Sequence, residues 1–247
     1  MRRRCLRIIR AASFFTNRRQ TMNCKKDDLL LYAVTDRSWL HGAALYEQVK
    51  QALAGGVTMV QLREKKISEE QFLEEAVAIR RLCTAYQVPL IINDNVWIAC
   101  KSDADGVHIG QKDMDIGTAR RILGPHKIIG VSARTTAQAI SAFEQGADYL
   151  GTGAVFPTGT KQDAQVITYE QLAAVCRAVP IPVAAIGGIT EKNLDRLAGS
   201  GISGIAVVSA IFAQKDIRQA AKRLRDRVSD LCGTGCGNRK EYDGDIL

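Results

Sequence analysis

Eight short apolar runs, separated by stretches of helical amphipathicity, constrain this chain more than any other feature. The runs are Leu29–Val34, Thr58–Leu62, Pro89–Ile92, Gly106–Ile109, Lys127–Val131, Tyr149–Thr152, Pro182–Ile186 and Gly204–Val208. Helical patterns fall near 42–54, 68–86, 95–102, 116–123, 135–145, 169–178 and 191–199, and a last one over 214–231 closes the series. Strands that each lead into a helix pair in parallel through crossover connections. Four of them are introduced by similar small or acidic turns, Ala54–Val57, Ala104–Val107, Gly146–Tyr149 and Gly201–Gly204, an internal echo that supports the count. An open doubly wound sheet competes, but no dinucleotide-binding fingerprint follows the first run. The reading is an α/β fold of one domain, a (β/α)8 TIM barrel over residues 27–231, a size such barrels commonly have.

Charge separates that body from its ends. Nine of the 34 basic residues lie in the first 26 positions, which hold no acid; the remainder has 25 basic against 26 acidic side chains. The overall +8 is therefore a property of the N-terminus, and the body offers no bulk basic surface for nucleic acid. Residues 1–22 read as a basic extension outside the fold, either an Arg-rich targeting segment or a stretch preceding a true start at Met22. No apolar run has the length a membrane span needs. Seven scattered cysteines, an odd number, suit reduced thiols and a cytoplasmic setting. The tail, 232–247, is Gly-rich; its close pair Cys232 and Cys236 has no nearby histidine to complete a metal site.

Catalytic groups in such barrels come from the C-terminal ends of the strands and the loops that follow. The second run ends in Gln61-Leu62-Arg63-Glu64-Lys65. Alternation places Gln61, Arg63 and Lys65 on one face and Val60 and Leu62 on the other, against the helices. Two cations converging at a barrel mouth suit a polyanion, and the alternative is an ion pair with Glu64. The third and fourth runs end in Asn93-Asp94 and in Gln111-Lys112-Asp113. Asp94 and Asp113 suit a hard divalent ion such as Mg²⁺, or each caps the helix that follows it. The fifth run ends at Ser132. The sixth dissolves into Gly151-Thr-Gly-Ala-Val-Phe-Pro-Thr-Gly-Thr-Lys161, a loop of glycines, hydroxyls and one cation that fits an anion. Gly187-Gly188 after the seventh run and Val208-Ser209 after the eighth make a phosphate cup of a kind common in this fold. Two anion sites follow, one rich in cations for a diphosphate and one of backbone donors for a monophosphate. His108, inside the fourth run, reads as a hydrogen-bonded core residue before a general base, and His41 and His126 carry no signal.

These pieces, in order from Tyr32-Ala-Val-Thr-Asp36 to Val207-Val-Ser209, resemble the thiamine-phosphate synthase family over residues 29–225. The resemblance implies a barrel that joins hydroxymethylpyrimidine diphosphate to hydroxyethylthiazole phosphate with Mg²⁺ and releases diphosphate. It further implies that Gln61, Leu62, Arg63, Glu64, Lys65, Asn93, Ser132 and Lys161 hold the pyrimidine diphosphate, and that Asp94 and Asp113 hold Mg²⁺. Thr158, Gly159, Thr160, Gly188, Val208 and Ser209 would hold the thiazole phosphate. Arg63, Lys65 and Lys161 would be the catalytic cations, stabilising the departing diphosphate, and no protein nucleophile is required. The partners implied are these small molecules, with no nucleic acid or membrane, and a homo-oligomer stays open. The segment 95–104 departs from the Asp/Ala-rich helix of that family. Competing readings are a thiazole tautomerase working through histidine, a Schiff-base aldolase using Lys161, and a non-catalytic protein that binds thiamine precursors.

Overall fold

An apolar strand buried on both faces must send alternate side chains into two separate cores. The computed structural model, which describes residues 23–40, 42–159 and 165–233, does this eight times in one closed parallel barrel whose strands follow sequence order. The strands are β1 (Leu31–Val34), β2 (Met59–Leu62), β3 (Leu90–Asn93), β4 (Gly106–Ile109), β5 (Ile128–Ser132), β6 (Tyr149–Gly153), β7 (Val183–Ile186) and β8 (Gly204–Val207). β1 pairs with both β2 and β8, which closes the ring. Inside lie Tyr32, Met59, Ile91, Ile128, Tyr149, Ala184 and Ala206. Outside, Val60, Leu62, Ile92, Val107, Val131 and Ile205 pack against helix residues such as Val49, Phe72, Leu172 and Leu224. Each fully buried aliphatic chain in that outer layer contributes about 1.5–3 kcal/mol.

The helices are α1 (Leu45–Ala54), α2 (Glu69–Ala85), α3 (Val96–Lys101), α4 (Ile116–Leu123), α5 (Thr136–Glu144), α6 (Tyr169–Ala178), α7 (Ser209–Phe212) and α8 (Ile217–Cys232). Their starts are written in the sequence. Ser68 with Gln71, and Thr168 with Gln171, form reciprocal capping boxes. Asn95, Asp115, Thr135 and Asp216 each accept a backbone N–H from the first turn they precede. Two expected elements differ. The stretch 191–199 holds only the 3-10 turn Leu194–Leu197. Asn193 is the cause: its Oδ1 accepts from Thr190 N and its Nδ2 donates to the Gly188 carbonyl, so it is committed to a turn. Residues 26–29 also form a 3-10 turn, with Asp28 accepting from Lys25 N, and β1 therefore begins at Leu31.

The echo among four turns has a structural counterpart at the N-terminal end of the barrel. Thr58, Asp105, Asp148 and Ser203 each precede an even-numbered strand, and each donates its N–H to a carbonyl at the start of the odd strand before it. Three of them also accept, through the side chain, the N–H of that same residue: Leu31 to Thr58, Leu90 to Asp105 and Ile129 to Asp148, at 2.8–2.9 Å. Asp148 accepts further bonds from Arg120 and Asn23. The N-terminal extension, His41, Thr160, Lys161 and the tail from 234 onward, with Cys236, lie outside the described residues.

Candidate active site

At the opposite, C-terminal end of the strands, consecutive residues of two neighbouring loops pair crosswise. Arg63 Nη1 meets Asp36 Oδ2 at 3.1 Å, while Arg37 Nε meets Glu64 Oε2 at 2.7 Å and its Nη2 meets Glu75. The Arg63 N–H adds a bond to Thr35 Oγ1 at 2.9 Å. The loop after β1 therefore fixes the loop after β2, and with it the direction of Arg63. Lys65, half exposed, reaches Asp94 Oδ2 at 2.5 Å.

Of the five residues 61–65 expected at a diphosphate, Arg63 and Lys65 meet Asp36 and Asp94 at the strand ends, and the Gln61 side chain is buried in the lumen against Tyr32. The side chains of the other two turn elsewhere. Leu62 is fully buried in the outer layer, and the Glu64 carboxyl is buried against Arg37 and Glu75. What Leu62 and Glu64 can offer a ligand is backbone. Burial pushes the Glu64 carboxyl above its ordinary range, against the opposing pull of Arg37, and the adjacent Glu75 adds to the rise.

Asn93 ends β3 in register with His108 of β4, and Ser132 ends β5. Asp94 and Asp113 are not spent on capping, since Asn95 caps α3 and Asp115 caps α4. Asp94 takes a left-handed backbone, φ +61°, directly after β3. Asp113 Oδ2 accepts from Gly110 N at 2.7 Å. Two carboxylates free of helix caps, in the loops after adjacent strands, match the oxygen-rich, partly solvated donor set that Mg²⁺ takes. No cluster of three or more metal-ligating side chains occurs among the described residues.

Across the mouth, the loop after β6 leans on the glycine pair after β7. Val155 N donates to the Ile186 carbonyl and Phe156 N to that of Gly187. Gly188 has φ +66°, and a Cβ there would lie 2.3 Å from the Pro157 carbonyl oxygen, so only glycine fits. Thr158 and Gly159 follow on this loop, and Ser209 opens α7 just beyond Val208. The structure thus gathers Thr158, Gly159 and Gly188 on one side.

The sequence reading passed over two residues. Tyr32 and Tyr149, deep in the lumen, share a hydrogen bond at 2.7 Å, and each reaches one further polar group. They were hidden inside apolar runs; the signal was the phenol itself, which needs a partner when buried.

A closed barrel with its ion-paired groups and glycine pair in the loops at the C-terminal ends of the strands has the layout of a (β/α)8 enzyme with its site at that end. The model of the family described as thiamine monophosphate synthase matches residues 31–211. The chain is 49% identical over 199 residues to the thiamine-phosphate synthase of Ruminiclostridium cellulolyticum, covering 81% of this chain and 95% of that one. It is 47% identical over 203 residues to that of Clostridium tetani, covering 82% and 97%. A solved thiamine phosphate pyrophosphorylase from Pyrococcus furiosus superposes with a TM-score of 0.78 at 39% identity, covering 83% and 98%. The chain belongs to the thiamine monophosphate synthase family.

Proposed function

We propose that this enzyme condenses hydroxymethylpyrimidine diphosphate with hydroxyethylthiazole phosphate to give thiamine phosphate and diphosphate. The observation that supports the reading is the placement of Arg63 on Asp36 and of Lys65 on Asp94, in the loops at the C-terminal ends of the strands, the end that also carries the glycine pair after β7.

Arg63, held by Asp36 and Thr35, meets the diphosphate with a guanidinium already oriented, so little reorganisation is needed when charge develops on the leaving group. Lys65 exchanges its contact with Asp94 for a phosphate oxygen. Lys161 is assigned to the same diphosphate from the sequence alone, and Asn93 and Ser132, at the ends of β3 and β5, to the pyrimidine side. Asp94 and Asp113 would hold Mg²⁺, which when bound would supply further neutralisation of the diphosphate. The pyrimidine ring, bearing an amino group, delocalises positive charge as its C–O bond breaks. Thr158, Gly159, Thr160, Gly188, Val208 and Ser209 place the thiazole phosphate so that the ring nitrogen attacks that carbon, and positioning is the second large contribution. No side chain takes or gives a proton. Both ring nitrogens of His108 are engaged in the lumen, which speaks against a histidine-driven tautomerase.

Among the described residues no helix is long and apolar enough to cross a membrane. We assign the enzyme to the cytoplasm on its scattered thiols, with 27–231 as the catalytic body and the two ends as appendages. The test is direct: both phosphorylated halves are incubated with the protein, with and without Mg²⁺, and thiamine phosphate is assayed. Metal-dependent product is expected. Folded protein that binds the thiazole phosphate and forms no product would overturn the reading.

A further inference from the structure

Five side chains from five strands form one hydrogen-bonded chain across the lumen, directly beneath the mouth. Gln61 of β2 donates from Nε2 to Tyr32 Oη of β1 at 2.5 Å. Tyr32 Oη lies 2.7 Å from Tyr149 Oη of β6. Tyr149 Oη lies 3.0 Å from His108 Nδ1 of β4, and His108 Nε2 lies 2.9 Å from Ser132 Oγ of β5. The tyrosine rings meet edge to face, 5.9 Å apart, and Gly130 makes the space, since a Cβ there would sit 2.0 Å from Tyr149 Cζ.

Each phenol carries a single proton, and burial pushes both tyrosines well above their ordinary range, so neither loses it. With each buried O–H donating to the one partner left to it, the direction of every bond follows from the first. Tyr32 accepts from Gln61 and donates its own O–H to Tyr149. Tyr149 in turn donates its O–H to His108 Nδ1, which is therefore the bare nitrogen of a neutral imidazole. The ring hydrogen sits on Nε2 and is donated to Ser132 Oγ. Ser132 has accepted, and its own hydrogen is left to point at the mouth. At the other end, Gln61 has spent its amide nitrogen and keeps Oε1 as an acceptor.

We propose that this chain sets the hydrogen-bond polarity of the pyrimidine side of the site, holding Ser132 as a donor and Gln61 as an acceptor toward the substrate ring. This rests on the reading in the previous subsection. Tyr32, Tyr149 and His108 are then positioning residues for specificity, acting through groups they hold. A 4-aminopyrimidine presents an amine that donates beside a ring nitrogen that accepts. A 4-oxopyrimidine reverses both, with a carbonyl that accepts beside an N–H that donates. A polarity fixed from below accepts the first and leaves the second with an acceptor facing an acceptor and a donor facing a donor, a mismatch that sites of this kind reject strongly.

Two measurements test it. In the ¹⁵N-labelled full chain without ligand, ring-nitrogen shifts, assigned by comparison with His108→Gln, are expected to give a neutral His108 protonated on Nε2. Protonation on Nδ1 would reverse the chain and overturn the proposal. Second, kcat/KM is compared for the amino substrate and its 4-oxo analogue. The wild-type preference is expected to be on the order of 100-fold or more, and Tyr149→Phe, which keeps the ring and deletes the linking oxygen, is expected to reduce it at least about tenfold. An unchanged ratio in a folded Tyr149→Phe protein overturns the proposal; Tyr32→Phe serves if that variant does not fold. Wild-type protein that makes no thiamine phosphate would fail the functional reading, while the His108 tautomer would still report the direction of the chain.

Discussion

Lys65 Nζ lies 2.5 Å from Asp94 Oδ2, so a cation assigned to the diphosphate and a carboxylate assigned to the metal neutralise each other before either ligand arrives. The pair is about half exposed on the lysine side, and its own worth is small, about 1 kcal/mol or less. Its cheapness lets both partners be released together when the charged substrate and its ion enter.

Asp94→Asn is accordingly expected to raise the Mg²⁺ concentration for half-maximal activity about tenfold or more, with little change in thermal stability. Lys65→Met should lower kcat/KM by on the order of 100-fold while leaving that Mg²⁺ requirement in place. A metal titration of thiamine phosphate formation in both variants separates the two roles.

Gly188 is the tightest point between the loops after β6 and β7. In Gly188→Ala the new Cβ meets the Pro157 and Phe156 carbonyl oxygens at 2.3 and 2.8 Å, and the backbone is held at a positive φ. We expect a loss of about 1–3 kcal/mol in stability and a KM for the thiazole phosphate raised tenfold or more, while pyrimidine diphosphate binding is kept. Calorimetric titration with each substrate half checks the asymmetry.

At the other end of the barrel, Asp148→Ala should be costly without touching substrate affinity. The carboxylate is almost fully buried and accepts from Ile129 N, Arg120 Nη2 and Asn23 Nδ2. Deleting it leaves the Ile129 N–H without its side-chain acceptor and takes the carboxylate from Arg120, which keeps the Gly124, Lys127 and Gly146 carbonyls, a loss of about 1–3 kcal/mol. Lys101→Ala, which removes an exposed pair with Glu69, should cost under about 1 kcal/mol. Urea unfolding of the two variants reads the contrast.

The Glu64 carboxyl supplies a pH dependence. Its value in the folded chain is raised, so between the ordinary glutamate value of 4.5 and the raised one the folded state binds the extra proton. Stability contributed by this group is therefore present below pH 4.5 and falls as pH rises through the raised value. Glu64→Gln removes the ionisation and should flatten that part of a urea-midpoint profile taken across weakly acidic pH.

The barrel was legible because the eight apolar runs carry it, and each strand falls within one or two residues of its run. Helix starts were legible wherever a capping residue stood three positions before its acceptor partner, as at Ser68 and Gln71. The stretch 191–199 misled because Asn193, an ordinary surface residue by pattern, makes two turn bonds that only the folded loop supplies. Alternation placed Gln61, Arg63 and Lys65 on one face and Leu62 on the other. It did not show that Glu64 would turn to Arg37, because that partner comes from another loop. The lumen chain was unreadable for the same reason: Tyr32, Tyr149 and His108 are 41 or more positions apart along the sequence, and only barrel closure makes them neighbours.

Three side-chain anchors at the base, Thr58, Asp105 and Asp148, bind the strands two by two: β1 with β2, β3 with β4, β5 with β6. A barrel so assembled is a ring of doublets, each secured at its root far from the groups that meet substrate. Variation at the tips can then alter what the ring recognises while the doublets keep their alignment.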